Sequence, residues 1–255
     1  MSQPSLHCRC VGQGPDLVLL HGWGMHAGIW HPIVESLATN FRLHLIDLPG
    51  HGLSAPIGSF TLESVCDVLA QHVPERAHWL GWSLGGLFAL AFAARHPQRV
   101  ERLIMLASNP CFVANDTWPQ GMARNVLEGF AEDLLQDHQA TLTRFLGLIA
   151  RGAPDNTVLR ELRRAVRAVP SPHVSALRGG LTILRDTDLR SSLDALSVPT
   201  LWMGGVCDTL VPIAALRRVH EHYPHMPLQE VALAGHAPFI SHPQETAAAI
   251  SEFLL

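Results

Sequence analysis

Short apolar runs alternate with longer, helix-like segments along the first 110 residues. Residues 17–20, 41–46, 77–80 and 102–107 have the length and the apolar character of buried strands, whereas residues 62–72 and 87–94 are long enough for helices. Strands of a parallel sheet are buried on both faces and therefore appear as apolar runs rather than as strict alternation. The pattern predicts an α/β fold with a mostly parallel, doubly wound sheet.

The alternation stops after residue 110 and resumes near residue 187. Residues 126–136, 140–150, 157–169 and 175–184 have helical periodicity, and prolines separate several of them. Strand-like runs return at 198–203 and 228–233, and a helix is predicted over 243–254. We therefore expect a core of residues 1–110 and 187–255 with a helical cap of residues 111–186 inserted between its strands. Continued α/β alternation with poorly marked strands is the alternative for the inserted segment.

Composition narrows the possible classes of protein. A chain of 255 residues with 47% hydrophobic and 16% charged residues is expected to form one globular α/β domain with an insertion. Without an apolar run of membrane-spanning length or a leader-like first segment, we expect no membrane association and a cytoplasmic location. The net charge of −4 gives no indication of nucleic-acid binding. A monomer is the simplest expectation.

Cysteine usage indicates a reducing environment. The five cysteines, at positions 8, 10, 66, 111 and 207, are odd in number and match no common zinc-site spacing. Cys8 and Cys10 are separated by a single residue, which is closer than the usual ligand pair. We therefore expect no bound metal.

Residues 81–86, Gly-Trp-Ser-Leu-Gly-Gly, connect a predicted strand to a predicted helix. A Gly-x-Ser-x-Gly sequence in this context is typical of the nucleophile elbow of α/β hydrolases, where a strained serine projects above the sheet edge. The helix N-terminus that follows favours a developing anion. Ser83 is therefore the candidate nucleophile, although a bare match to so short a motif would also fit an ordinary turn.

An acid and a base follow Ser83 in the order expected for such a hydrolase. Asp208 comes after the strand at 198–203, and His236 comes after the strand at 228–233, so that all three side chains are predicted at one sheet edge. A serine hydroxyl needs an imidazole to take its proton, and the imidazole needs a carboxylate to fix its tautomer. The alternatives for these two positions are Asp186, Asp188, Asp194, His225 and His242. Asp47 precedes the serine and is expected to anchor its own loop.

Two backbone amides are candidates for stabilising an oxyanion. Leu84 follows the nucleophile, and Trp23 lies in the His-Gly-Trp-Gly loop after the first predicted strand. Their N–H groups would bind the negatively charged oxygen of a tetrahedral intermediate. An ordinary strand-to-helix turn is the alternative for the loop at Trp23.

The predicted cap contains a row of arginines. Arg160, Arg163, Arg164 and Arg167 fall on one side of the helix predicted at 157–169, and apolar residues fall on the other. Seven arginines and two acidic residues occur between positions 144 and 178. Such a surface suits an acidic partner or a phosphate-bearing substrate, and a solvated helix face is the alternative.

Five stretches of the chain are distinctive when taken together: residues 17–24 (Leu-Val-Leu-Leu-His-Gly-Trp-Gly), 45–50 (Leu-Ile-Asp-Leu-Pro-Gly), 79–86 (Trp-Leu-Gly-Trp-Ser-Leu-Gly-Gly), 107–112 (Ala-Ser-Asn-Pro-Cys-Phe) and 235–243 (Gly-His-Ala-Pro-Phe-Ile-Ser-His-Pro). Together they resemble the pimeloyl-[acyl-carrier protein] methyl ester esterase family of biotin synthesis. The resemblance runs nearly end to end. It implies a cofactor-free serine carboxylesterase that removes a methyl group from the carrier-bound pimeloyl chain and releases methanol.

The resemblance also implies roles for particular residues. Ser83, Asp208 and His236 would be catalytic, and Trp23 and Leu84 would form the oxyanion site and contact substrate. Further substrate contacts would fall on Phe145, Leu146, Gly147, Leu148 and Ile149, and the acyl carrier protein would dock on Arg144, Arg160, Arg163, Arg164 and Arg167.

Two other functions remain compatible with the residues alone. A general short-chain esterase or a carbon–carbon bond hydrolase would use the same serine, histidine and aspartate, because the cap selects the substrate. A catalytically silent ligand receptor could retain all three residues. Turnover of a simple ester that depends on Ser83 would exclude the receptor.

Overall fold

The strands form a single sheet in the computed structural model, which describes residues 5–255. The strands are β1 (Cys8–Val11), β2 (Asp16–Leu20), β3 (Arg42–Ile46), β4 (Ala77–Trp82), β5 (Val100–Leu106), β6 (Thr200–Gly205) and β7 (Leu228–Val231). Their order across the sheet is β1-β3-β2-β4-β5-β6-β7, and only the β1–β3 pair is antiparallel. The prediction of a mostly parallel α/β sheet is confirmed.

Helices alternate with the strands from β2 onwards and fill the interval between β5 and β6. They are α1 (His31–Ala38), α2 (Leu62–His72), α3 (Leu84–Arg95), α4 (Arg124–Gln136), α5 (His138–Ile149), α6 (Thr157–Arg167), α7 (Val174–Asp186), α8 (Arg190–Leu193), α9 (Ile213–His222), α10 (Pro238–Ser241) and α11 (Pro243–Leu254). None of the helices in the described part of the chain is both long and apolar enough to cross a membrane.

Helix α3, which follows the central strand β4, is buried along almost its whole length. Residues 84–93 are all buried, which fits a sequence of small and apolar residues with no polar face. Its neighbour β4 is likewise buried at every position. The β4–α3 junction, which contains Ser83, is therefore held between two fully buried segments.

The segment between residues 111 and 186 is helical, and the structure contains no sheet strand there among the residues described. Its two ends meet, because Cys111 and Asp188 form an isolated antiparallel bridge and the Leu189 amide donates to the Pro110 carbonyl at 2.8 Å. The proposed division into a core (1–110 and 187–255) and a cap (111–186) remains a prediction. Adjacent ends are the arrangement that an inserted unit requires.

The element boundaries differ from the sequence-based expectations in a few places. β7 ends at Val231 rather than at residue 233, because Leu233 has a φ of 58° and the Ala234 amide turns back towards the Val231 carbonyl. β1 was not predicted, since Cys-Arg-Cys-Val is neither an apolar run nor a clear alternation. Helix α9 was not predicted either.

Candidate active site

Ser83 occupies the sharp turn between β4 and α3. Its backbone has φ 55° and ψ −122°, a strained conformation that is held by a 3.0 Å hydrogen bond from its amide to the Leu106 carbonyl. The flanking glycines are required by close packing. A Cβ on Gly81 would lie 2.4 Å from the Gly85 carbonyl oxygen, and a Cβ on Gly85 would lie 2.3 Å from the Leu20 carbonyl oxygen. The motif therefore lifts the Ser83 hydroxyl above the sheet edge.

Ser83, His236 and Asp208 form a continuous hydrogen-bonded array. Ser83 Oγ lies 2.9 Å from His236 Nε2, and His236 Nδ1 lies 2.8 Å from Asp208 Oδ2. The other oxygen of Asp208 accepts hydrogen bonds from the Leu210 and Val211 amides at 2.8 and 3.0 Å. Because an ionised carboxylate only accepts hydrogen bonds, Nδ1 of His236 must carry the proton and Nε2 must accept from the serine hydroxyl. The three groups predicted from their order along the chain are thus brought together in a geometry suited to proton transfer.

The competing acidic residues are each engaged elsewhere. Their partners are Arg185 for Asp186, Arg190 for Asp188, and the Tyr223 hydroxyl, at 2.6 Å, for Asp194. The competing histidines also lie apart from Ser83. His242 contacts the Ser241 hydroxyl at the start of α11, and His225 is exposed beside the Tyr223 ring.

The amides of Trp23 and Leu84 are positioned by the turns that contain them. Leu84 is the first residue of α3, and neither amide donates to a protein acceptor within residues 5–255. The Gly22 carbonyl, which belongs to the same peptide unit as the Trp23 amide, accepts from His21 Nδ1 at 2.8 Å and from the Met25 amide at 3.2 Å. Because this peptide is trans, the Trp23 N–H points away from that carbonyl. Both amides are therefore available to a ligand oxygen.

His21 is itself held in one tautomer. The Leu48 amide donates to its Nε2 at 3.0 Å, so that Nδ1 carries the proton that reaches the Gly22 carbonyl. His51 lies beside it, with the ring centroids 5.2 Å apart, and donates from Nδ1 to the Pro49 carbonyl at 3.1 Å. Burial lowers the pKa of His21 to about 3 and that of His51 to about 3. Both imidazoles are neutral where they support the loop that contains Trp23.

These two histidines are expected to make the fold sensitive to mild acid. In the unfolded chain each takes up a proton below pH 6.5, whereas the folded chain does so only near pH 3, so stability is complete above pH 6.5 and falls as the pH decreases. We expect urea denaturation to give an unfolding free energy at pH 5 that is lower than at pH 7 by about 2 kcal/mol for each imidazole.

The variant His51→Phe separates the two contributions. It retains a buried ring that cannot be protonated. The decrease in unfolding free energy between pH 7 and pH 5 should therefore be about half of the decrease that His21 and His51 cause together. Burial also lowers the pKa of His78 and His96, which add a change of the same sign in both proteins. An unfolding free energy that is equal at pH 7 and pH 5 would contradict this interpretation.

Comparison with known proteins agrees with the geometry. Residues 15–243 match the model of the α/β-hydrolase fold family. The chain is 46% identical to the pimeloyl-[acyl-carrier protein] methyl ester esterase of Aeromonas hydrophila, with 98% of this chain and 99% of the relative aligned. It is also 46% identical to the enzyme of that name from Pectobacterium atrosepticum, over 94% of each chain. The chain belongs to the pimeloyl-[acyl-carrier protein] methyl ester esterase family.

A solved structure shows how widely the fold is shared. Bromoperoxidase from Bacillus anthracis superimposes with a TM-score of 0.87 at 22% identity, covering 98% of this chain and 95% of that one. At this level of identity the likeness shows the fold alone. The membership of the esterase family, together with the fold, shows that the chain is a carboxylic ester hydrolase.

Further side chains hold the active site of the esterase in place, and sequence reasoning missed them. The Trp82 indole donates to the His236 carbonyl at 2.8 Å and fixes the loop of the base. The Ser108 hydroxyl donates to the Ser83 carbonyl, also at 2.8 Å. Both lie in stretches that carry the resemblance to the family, which was the only available signal, because their contacts join residues far apart in sequence.

Asp47 anchors its loop in the way that the sequence suggested. Its carboxylate accepts from the Ala27 amide at 2.7 Å and from the Leu53 amide at 2.9 Å, while its carbonyl accepts from the Ser54 hydroxyl. The carboxylate therefore ties the chain after β3 to the loop after β2, and it is not part of the Ser83–His236 array.

Helices of the cap segment of the esterase pack directly on the loop at Trp23. The Trp23 indole donates to the Leu177 carbonyl at 2.8 Å, and the Phe145 ring meets the indole edge-on at a centroid distance of 4.8 Å. Leu142 fills the space beside Gly24. These contacts close the site, so that only 4% of the Ser83 surface and 1% of the His236 surface remain exposed.

The predicted substrate-binding residues, 145–149, are divided between the buried and the exposed faces of α5. Phe145, Leu146 and Ile149 are buried, Leu148 is half-buried, and Gly147 is exposed. Phe145 is the member that the structure brings to Trp23. Gly147 faces away, since a Cβ at this position would meet no atom within 4 Å.

The arginines predicted to dock a carrier protein differ in their surroundings. Arg144 forms an ion pair with Asp133 and lies over the Phe130 ring at 4.7 Å. Arg164 pairs with Glu161 at 2.7 Å. In the described part of the chain, Arg163 and Arg167 have no ion-pair partner and are exposed.

The arginine face of α6 borders an open groove. Its volume is about 780 Å³, and its lining includes Leu159, Arg160, Arg163, Arg164, Arg167 and Ala168. The apolar face of the same helix buries Val158, Leu162 and Ala165. Helix α6 therefore packs by one side and presents cations on the other, as the sequence pattern predicted.

Proposed function

We propose that this chain hydrolyses the methyl ester of pimeloyl-[acyl-carrier protein] to the free ω-carboxylate and methanol, a step of biotin synthesis. The observation that supports the reaction type is the Ser83–His236–Asp208 array, in which Ser83 Oγ lies 2.9 Å from the unprotonated Nε2 of His236. The substrate follows from the name of relatives that align with nearly the whole chain.

The proposed reaction proceeds in two stages. Ser83 Oγ attacks the ester carbonyl carbon and passes its proton to His236 Nε2, while Asp208 stabilises the resulting imidazolium. The amides of Trp23 and Leu84 bind the oxyanion, and each such donor typically lowers the barrier by about 3–4 kcal/mol. Collapse of the intermediate expels the methoxy group, which takes the proton from His236 and leaves as methanol.

Water completes the cycle. His236 takes a proton from the water molecule, whose oxygen attacks the acyl carbon of the ester with Ser83. Departure of Ser83 Oγ, which recovers a proton from His236, releases the carboxylic acid. The array thus returns to its starting protonation, and no cofactor is needed.

Substrate entry requires the cap to move in this proposal. Ser83 and His236 are almost fully buried, and a carrier protein is far too large to enter a closed site. The acyl chain would pass beside Phe145, which lies against Trp23, while the carrier stays outside. The proposed hinge is the place where the two ends of the cap segment meet, at the hydrogen bond between Leu189 and Pro110.

The groove along α6 is the proposed docking surface for the acidic carrier protein. Arg160, Arg163 and Arg167 support this assignment best, because they are exposed cations with no ion pair to break among the residues described. Arg164, which pairs with Glu161, extends the same face. Arg144 contributes less to the proposal, since docking would have to compete with its contact to Asp133.

Charge reversal on α6 is expected to affect only the carrier-bound substrate. The double variant Arg163→Glu/Arg167→Glu should lower kcat/KM for the carrier-bound methyl ester by about 10- to 100-fold at low salt, because it removes electrostatic steering. Raising the salt concentration should lower the wild-type rate and narrow the difference between the two proteins. Hydrolysis of a free short-chain methyl ester should change less than about twofold.

The control variant is Arg9→Glu, which reverses an exposed charge on β1 and should leave both substrates unaffected. Equal, salt-insensitive rates on carrier-bound and free esters would reject the carrier and favour a general short-chain esterase. Failure of every ester tested would favour the silent receptor.

A further inference from the structure

Two cysteines and a histidine converge at the edge of the sheet, away from the esterase site. Cys8 and Cys10 are separated by one residue of β1 and therefore point to the same side of the strand. Cys10 is also the antiparallel register partner of His44 on β3. The pair of strands thus places two thiols and one imidazole together.

The distances suit a tetrahedral metal ion. Cys8 Sγ lies 3.9 Å from Cys10 Sγ, and Cys10 Sγ lies 3.4 Å from His44 Nδ1, with all three ligand atoms within 4.8 Å of one another. Around zinc, bond lengths of about 2.3 Å to sulfur and about 2.0 Å to nitrogen put neighbouring ligand atoms about 3.5–3.8 Å apart. Small side-chain adjustments would bring the three atoms onto one ion.

An aspartate orients the imidazole towards the sulfurs. His44 Nε2 lies 2.6 Å from Asp16 Oδ1, and the Arg42 guanidinium donates to Asp16 Oδ2 at 2.8 Å. The Asp16 carboxylate can only accept at Nε2, so an imidazole that keeps its proton there directs the lone pair of Nδ1 towards Cys10. A carboxylate behind the ligating histidine is a common arrangement in metal sites.

We infer that Cys8, Cys10 and His44 bind one thiophilic divalent cation of the zinc class. The ligands are two sulfurs and one imidazole nitrogen, and solvent takes the fourth position. Binding displaces the thiol protons of Cys8 and Cys10, and both protons pass to water. Cys10 is exposed, so the ion can enter from solution.

The ion would stabilise the pairing of the edge strand β1 with β3. β1 has only four residues and pairs on one side, with β3 alone. Coordination from both strands would add a cross-strand connection to that ladder. The sequence expectation of no metal relied on the wider spacing usual in zinc loops, whereas an extended strand brings alternate residues to one face.

Cobalt and zinc provide the test. Co²⁺ added to the reduced protein should give thiolate charge-transfer and tetrahedral d–d absorption that saturates at one ion per chain. Zn²⁺ should displace it and raise the Tm, with a zinc concentration of about 100 times Kd raising the ratio of folded to unfolded chains about 100-fold. Cys8→Ser and Cys10→Ser should each weaken binding by at least about 10-fold, the effect usual for disturbing a metal site.

Two controls distinguish this site from non-specific binding of metal ions by exposed cysteines. Cys207→Ser removes an exposed cysteine elsewhere and should bind cobalt as the wild type does. Bound zinc should also protect Cys8 and Cys10, but not Cys207, from alkylation in the unaltered protein. Absence of the absorption bands, or their persistence in the Cys8→Ser/Cys10→Ser double variant, would overturn the inference. Ester hydrolysis should be unchanged in the Cys8→Ser and Cys10→Ser variants, because neither residue contacts Ser83.

Discussion

Replacing Ser83 with alanine is expected to lower kcat for ester hydrolysis by about four to six orders of magnitude. The hydroxyl oxygen, 2.9 Å from His236 Nε2, is the only heavy atom lost, and it is the proposed nucleophile. Substrate binding and the amides of Trp23 and Leu84 remain, so that a small residual rate over water is expected. Steady-state hydrolysis of a methyl ester measures the effect.

The alanine variant should fold like the wild type. Alanine meets the same backbone strain at φ 55° as serine does, and the amide can still donate to the Leu106 carbonyl. Thermal unfolding should therefore shift by no more than a few degrees. Ser241→Ala, which alters a hydroxyl outside the array, should keep full activity. A Ser83→Ala enzyme that retains a tenth of the wild-type rate would exclude the proposed nucleophile.

Asp208→Asn is expected to lower kcat by about 10⁴-fold without unfolding the protein. The asparagine carbonyl can still accept from the Leu210 and Val211 amides, which leaves its NH₂ group towards His236 Nδ1. Two donors cannot face each other, so the imidazole must move its proton to Nε2. Nε2 then cannot accept the proton of Ser83, and the rate should rise with hydroxide concentration.

The matched substitution is Asp194→Asn. Asp194 was a competing candidate in the sequence and accepts a hydrogen bond from the Tyr223 hydroxyl, at 2.6 Å. Its loss should affect stability slightly and kcat less than about twofold. If Asp194→Asn abolished activity while Asp208→Asn did not, the assignment of the acid would be wrong.

The order of elements and the three reactive side chains could be read from the sequence for a physical reason. Buried parallel strands appear as apolar runs, and the carboxyl ends of these strands meet at one sheet edge. Ser83, Asp208 and His236 each follow such a run, so that proximity in space followed from the topology. The arginine face of α6 was likewise predictable, because helical periodicity alone assigns its sides.

Contacts between distant segments could not be read in this way. The hydrogen bond from the Leu48 amide fixes the His21 tautomer, and the bond from the Trp82 indole holds the His236 carbonyl. No local sequence pattern predicts either contact. The Cys10–His44 pairing depends on the register of β1, a strand too short and too polar to predict. The pairing of Arg144 with Asp133 depends on how two cap helices pack.

Product analysis on the carrier tests the central proposal most directly. Pimeloyl-[acyl-carrier protein] methyl ester is incubated with the wild-type enzyme, and the intact mass of the carrier is measured with methanol in the same samples. The proposal predicts that the carrier loses the mass of one methylene group, that one methanol appears for each carrier, and that Ser83→Ala produces neither change. A carrier that loses its whole acyl chain, or conversion that continues in the Ser83→Ala variant, would contradict the proposal.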